Sequence, residues 1–214
     1  MIEFRGARRR LVETLREKGV TDLAVLRAVD IVPRHLFVPG GLVHRAYEDS
    51  ALPLGDGQTI SQPFVHAMSL QLLQLTGAER VLEVGTGSGY QTALLATLAA
   101  QVFSVERVPS LLDRAREALR KCGASNVSLM LGDGSIGWRE QAPFDAIVVS
   151  AAATEVPEPL AEQLAEGGRM VIPIGSAAQQ SLTLFHKVSG AIQRRDIFAV
   201  KFVPLRGRFG SKKT

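Results

Sequence analysis

The sequence holds a single cysteine, Cys122, so neither a disulfide framework nor a cysteine metal cluster can be built from it, and a reducing cytoplasm is the expected setting. Its four histidines, His35, His44, His66 and His186, are scattered without H-x-x-x-H or H-E-x-x-H spacing, and no metal is expected. No apolar run approaches the roughly 20 residues of a membrane span. The opening MIEFRGARRR runs into an amphipathic pattern rather than a signal-peptide core, so a soluble chain with no membrane partner is expected. Aromatics are scarce too, with one tryptophan, Trp138, and two tyrosines, which leaves no evident cluster for stacking nucleic-acid bases.

Charge is present but uneven. Residues 1–45 carry nine basic and five acidic groups, residues 46–193 nine and fifteen, and residues 194–214 seven and one. Basic ends around an acidic middle favour an anionic partner. Yet 19 of the 25 basic residues are arginine, as a compositional bias would also give, and a solvated surface is the plainer reading, so no nucleic-acid partner is expected. The 214 residues, 46% of them hydrophobic, suit one domain.

The chain is organised around RVLEVGTGSGYQTALLATL, residues 80–98. Val81, Leu82 and Val84 read as a buried strand, Gly85, Gly87 and Gly89 as a tight turn that exposes backbone, and residues 92–98 as a helix. Such a loop at the carboxyl end of a parallel strand is where open α/β sheets take nucleotides. A dinucleotide fingerprint G-x-G-x-x-G wants glycine at position 90, where Tyr90 stands. Glu106 ends the next apolar run, QVFSV, 17 residues after Gly89, close to where an acid accepts from both ribose hydroxyls. Glu83 lies inside the first strand, where burial is costly unless a cationic or hydrogen-bonding group meets it; an ammonium-bearing ligand would do so. Together these features describe an S-adenosylmethionine pocket better than a dehydrogenase pocket.

Along the rest of the chain, residues 3–18 read as a surface helix stopped by Gly19, and Thr21 or Asp22 caps a second over 22–30. IVPRHLFVP is expected to be extended because of its two prolines. Residues 47–66 read as a long polar loop, too rich in glycine and proline for core, with Ser61 or Gln62 capping a helix that begins at Pro63. A helix over 110–121 leads to the strand NVSLMLGDG, where Asp133, between Gly132 and Gly134, can reach an adenine amino group. FDAIVVSAAA and GGRMVIPIG flank a helix over 157–164, SLTLFHK and DIFAVKFVPL close the sheet as an antiparallel pair, and RGRFGSKKT is expected to be a mobile tail.

The segments VPRHLFVP, GQTISQPFVHA, VLEVGTGSGYQTALLA, FSVER, NVSLMLGDGSIG, APFDAIVVSAAA, PEPLAEQLAEGGRMVIPIG and KFVPL together resemble the protein-L-isoaspartate (D-aspartate) O-methyltransferase family. The glycine loop and the GDG turn suit many methyltransferases; TISQPFVHA and FVPL are far more specific. The resemblance implies an α/β fold with a doubly wound, mostly parallel sheet and an antiparallel C-terminal strand pair, the Rossmann-like class I methyltransferase fold. It implies one domain over residues 1–214: an N-terminal helical cap and substrate loop over 1–66, the core over 67–205 and a basic tail over 206–214.

It further implies methyl transfer from S-adenosylmethionine to the free carboxylate of L-isoaspartyl, or D-aspartyl, residues in damaged proteins and peptides, which starts repair through succinimide. Ser61 matches the family's active-site serine. Thr59, Ile60, His66, Glu83, Gly85, Thr86, Gly87, Ser88, Gly89, Glu106, Arg107, Asp133 and Gly134 are then expected on the cofactor, and Gln62, Val203 and Leu205 on the peptide. Phe64 departs from the histidine or tyrosine of several relatives. A monomer is expected. The pocket alone leaves a methyltransferase of RNA or a small molecule, or a nucleotide-binding module without chemistry, as alternatives.

Overall fold

A computed structural model describes residues 4–55 and 57–210. Helix α1 (Arg5–Glu17) buries Leu11 and Leu15, one turn apart, and leaves its charged residues outside except for the half-buried Arg8. It stops where Gly19 takes a positive φ of 97°. Helix α2 (Leu23–Ile31) is capped by Asp22, whose carboxylate accepts from the amides of Ala24 and Val25. Pro33 follows, and the segment expected to be extended turns instead into short 3-10 helices, Arg34–Phe37 and Gly40–Arg45. A proline constrains itself and the residue before it but not those after, so Leu36 can donate to the Pro33 carbonyl and close the turn.

The polar stretch 47–66 is not wholly a loop. β1 (Leu52–Gly55) and β2 (Gln58–Ile60) pair antiparallel. Leu52, Leu54 and Ile60 point inward and are buried, an alternation too short to stand out against the surrounding glycine and proline.

The main sheet has seven strands: β3 (Arg80–Val84), β4 (Gln101–Glu106), β5 (Val127–Leu131), β6 (Phe144–Val149), β7 (Leu164–Gly175), β8 (Gln180–Val188) and β9 (Ala191–Val200). Their order is β5-β4-β3-β6-β7-β8-β9. The first five are parallel, while β8 runs antiparallel to β7 and β9 antiparallel to β8. The mostly parallel α/β sheet and its antiparallel end are as the sequence led us to expect. Helices α3 (Pro63–Leu73), α4 (Tyr90–Ala96), α5 (Pro109–Cys122) and α6 (Glu158–Gln163) complete the elements.

Strand alternation divides the core between two faces. Val81, Val102, Ala146 and Val148 pack with α1 to α5, whereas Leu82, Val84, Phe103, Ile147 and Val149 pack with Leu160 of α6. Each fully buried leucine or isoleucine contributes about 1.5–3 kcal/mol. The chain reverses direction across the sheet between β3 and β6, and the crevice beyond their carboxyl ends is where such sheets take ligands.

The last strand ends at Val200, short of the expected 205. Residues 203–205 leave the sheet edge to meet Ala152: its amide donates to the Val203 carbonyl at 2.8 Å, and the Leu205 amide donates to the Ala152 carbonyl at 2.7 Å. The tail expected to be mobile is docked as far as Gly210, and residues 211–214 lie outside the described part.

Candidate active site

A cleft of about 310 Å³ opens at the carboxyl ends of β3, β4 and β6, lined on one side by Val84–Ser88 and Glu106–Pro109 and on the other by Gln58–Ser61, His66 and residues 201–206. That is within the size range of small-molecule sites.

The three loop glycines have different reasons. Gly85, Gly87 and Gly89 all take positive φ, at 93°, 55° and 85°. A Cβ on Gly89 would stand 3.1 Å from the Ala115 Cβ, so this glycine lets α4 approach α5 and does not line the cleft. A Cβ on Gly87 would meet nothing within 4 Å and would project into open space. Gly87 therefore keeps backbone bare toward the cleft.

Glu106, at the tip of β4, lines the same space. One of its oxygens accepts from the Gly87 amide at 2.8 Å, and the other accepts from the amides of Arg107 and Val108 at 2.8 and 2.9 Å. Three backbone donors fix the carboxylate, and the oxygen with a single donor retains a lone pair for a ligand hydroxyl.

Glu83 sits otherwise than expected. Alternation on β3 turns it away from the cleft and toward α4, where it is fully buried. Thr92 and Ser104 donate to one oxygen at 2.5 and 2.7 Å, and the Gln91 amide to the other at 3.2 Å. Protein hydroxyls, not a ligand cation, offset its burial. Desolvation still pushes its carboxyl up to about 7, against those hydrogen bonds and with the help of nearby Glu106.

Gln91 carries this network to the cleft. Its amide nitrogen also donates to Ser150 Oγ at 3.0 Å, so its oxygen accepts from His66 Nδ1 at 2.7 Å. Burial, with the Arg34 charge nearby, drops His66 to about 4 despite that bond, and the ring is neutral. Its Nε2 is then an acceptor, buried and without a donor among the described residues.

Thr59, Ile60 and Ser61 line the opposite wall, following β2. Neither Ser61 nor Gln62 caps α3 through its side chain. Asp49, far upstream, does so: its Oδ1 accepts from the Phe64 amide at 2.8 Å, and its Oδ2 from the Gln62 amide nitrogen at 2.9 Å and Lys18 Nζ at 2.6 Å. Gln62, expected on the peptide, is thus tied to Asp49 and does not line the cleft. From the other side Arg34 donates to the Ser61 carbonyl at 3.0 Å. Neither Asp49 nor Arg34 stood out in the sequence, since one lies in a polar stretch and the other between prolines.

Val203 and Leu205 line the cleft with Lys201 and Arg206, and together with Arg107 these give it a cationic rim. Asp133 is displaced from its expected place. Its Oδ1 accepts from the amide and hydroxyl of Ser135 at 2.9 and 2.7 Å, and its Oδ2 from the Arg208 amide at 2.7 Å, while Gly134 alone of the pair lines the cleft. These bonds hold its carboxyl below the usual range although burial opposes them. Among the described residues no cluster could hold a metal.

Bare backbone and a carboxylate fixed at the tip of the next strand, at the switch point of a parallel sheet, fit an adenosyl ligand, and the fold is that of the class I methyltransferases. Residues 6–210 match the family model for protein-L-isoaspartate(D-aspartate) O-methyltransferase (PCMT), and the chain belongs to that family. It is 49% identical over 210 residues to protein-L-isoaspartate O-methyltransferase of Dictyoglomus thermophilum, covering 98% of this chain and 96% of that one. It is 48% identical over 211 residues to protein-L-isoaspartate O-methyltransferase 1 of Syntrophobacter fumaroxidans, covering 98% and 99%. A solved protein-L-isoaspartate O-methyltransferase superposes with a TM-score of 0.86 at 31% identity, over 95% of this chain and 67% of that one. A β-aspartate methyltransferase (PCMT) of Plasmodium falciparum, in complex with S-adenosyl-L-homocysteine, gives 0.82 at 30% identity, over 92% and 97%.

Proposed function

We propose that this protein transfers a methyl group from S-adenosylmethionine to the free carboxylate of L-isoaspartyl residues in damaged proteins and peptides, as a cytoplasmic monomer without nucleic-acid or membrane partners. Bound S-adenosylmethionine supplies an activated methyl group. The chain's part is to bind, orient and exclude water. Glu106 takes the ribose hydroxyls, residues 85–88 offer backbone, Thr59, Ile60 and His66 wall the ligand in from the opposite side, and Gly134 closes the adenine side. Glu83, Gly89 and Asp133 support this wall from behind.

The acceptor carboxylate has an ordinary pKa of about 4, so it arrives ionised and needs no general base. Positioning is the remaining requirement. Ser61 donates its hydroxyl to one carboxylate oxygen and leaves the other free to react, and Val203 and Leu205 flank the peptide. The observation that carries this reading is that Ser61, its main chain held by Arg34, shares one cleft with the glycine loop and Glu106.

The test is a labelled-methyl assay offering an isoaspartyl peptide, its aspartyl counterpart and bulk RNA. Label is expected on the first alone; label on RNA instead would favour an RNA methyltransferase. Ser61→Ala should lower turnover on the isoaspartyl peptide by about 10- to 100-fold, matching the roughly 1.5–3 kcal/mol of a hydrogen bond to a charged group. Undiminished turnover removes Ser61 from the mechanism.

A further inference from the structure

We propose that Arg34 is a positioning residue for methyl transfer, holding Ser61 in place and setting a fixed positive charge behind the acceptor carboxylate. The inference rests on the functional reading above and extends it to a side chain that touches neither ligand.

Arg34 is wholly buried, among the largest side chains of the described residues to be so. It makes no ion pair among the described residues. Nη2 donates to the Ser61 carbonyl, the guanidinium carbon lies 4.6 Å from the centre of the Tyr90 ring, and burial, the largest influence on it, is offset only in part by the Tyr90 hydroxyl and the charge of Asp49, while Nε and Nη1 are buried without a well-formed hydrogen bond among the described residues. A desolvated cation with unused donors is costly, and an apolar side chain of like length would fill the space at less expense. Stability therefore does not account for this residue. Groups that break the rules of a core gather where function requires them.

Its contacts say what that function is. Ser61 lies on the peptide side of the cleft. Tyr90 follows the glycine loop directly, and its ring meets His66 edge-on at 5.7 Å. One guanidinium thus spans the 3-10 turn Arg34–Phe37, the Ser61 segment and the start of α4. Its Nη2 holds the Ser61 carbonyl from a rigid, planar group, and in a poorly screened interior its charge reaches the cleft. His66, which lines the cleft, is kept neutral first by its burial and then by the nearby Arg34 charge. A preorganised charge of this kind favours an anionic acceptor over a neutral one.

The test compares full-length wild type, Arg34→Met, Arg34→Lys and Ser61→Ala for kcat and KM on an isoaspartyl peptide, calorimetric Kd for S-adenosylhomocysteine, and Tm. Arg34→Met should lower kcat/KM about tenfold or more, the equivalent of one charge-assisted hydrogen bond, chiefly through peptide KM. Its Kd should stay within about threefold, and its Tm should be no lower than wild type. Arg34→Lys, which restores the charge without the planar guanidinium, should recover part of the peptide KM. Arg34→Met with wild-type kcat/KM overturns the proposal. So does a drop in Tm in both variants, with Arg34→Lys no more active than Arg34→Met, since that is the pattern of a structural residue. Wild type inactive on the peptide would instead defeat the functional reading. Wild type active and Ser61→Ala impaired, with Arg34→Met unaffected, would defeat only this inference.

Discussion

Glu83 and His66, two buried groups joined through Gln91, are displaced by burial in opposite senses, one up to about 7 and the other down to about 4. Between about 4.5 and 7 the folded protein holds a proton on Glu83 that the unfolded chain has released, so this group makes stability fall as pH rises. Between about 4 and 6.5 the unfolded chain holds a proton on His66 that the folded protein refuses, so that group makes stability rise with pH. Each is worth on the order of 3 kcal/mol at roughly 1.4 kcal/mol per unit, and across their shared window they offset one another. Removing either should expose the other. Relative to wild type, Glu83→Gln should gain Tm as pH goes from 4.5 to 6.5, whereas His66→Gln should lose it. Other carboxylates are common to all three proteins, so the sign of each difference is what thermal melts read, and differences of the same sign would refute the pairing. The sequence marked Glu83 as a carboxylate needing a partner, but could not name Thr92 and Ser104, which reach it from α4 and β4.

At the scale of elements, what was legible had either periodicity or a long apolar run. The parallel strands, the glycine turn and the amphipathic helices all carry such a signal. The β1–β2 hairpin and the turn after Pro33 do not, because a few alternating residues or one proline leave the local pattern undecided and packing decides it. The cap of α3 failed for another reason: local rules look beside the helix, and Asp49 comes from elsewhere. Such a cap links the N-terminal helices to the wall that bears Ser61. Asp49→Ala should cost about 1–2 kcal/mol in urea denaturation, the upper part of the range for a lost cap. Asp49→Asn should cost less, since its amide oxygen can still accept from Phe64. The exposed end of the Lys18 ion pair contributes little. Equal losses in the two variants would mean that the charge, and not the cap, is what matters.

Across the whole molecule, both ends of the chain converge on one cleft. Arg34 and Asp49 brace the Ser61 wall, while residues 201–206 form the facing rim and continue into a tail that fastens to the GDG turn. Composition made that tail look free, since glycine and basic residues carry no packing signal. Its anchor is backbone: the Arg208 amide reaches Asp133 and the Phe209 amide reaches Ser135 Oγ at 3.0 Å. Gly207 is required for this approach, because a Cβ there would fall on the Asp133 carboxylate and the Ser135 hydroxyl. Gly207→Ala should therefore release the tail, and Asp133→Ala should remove its acceptor, each at about 1 kcal/mol, the net worth of a typical hydrogen bond. Because both act on one contact, the double variant should cost clearly less than the sum, and hydrogen exchange at Arg208 and Phe209 should quicken in all three. Additive losses with unchanged exchange would mean that the tail does not lean on this turn. Coupled losses would tie the order of Gly134, which lines the cleft, to a segment at the far end of the chain.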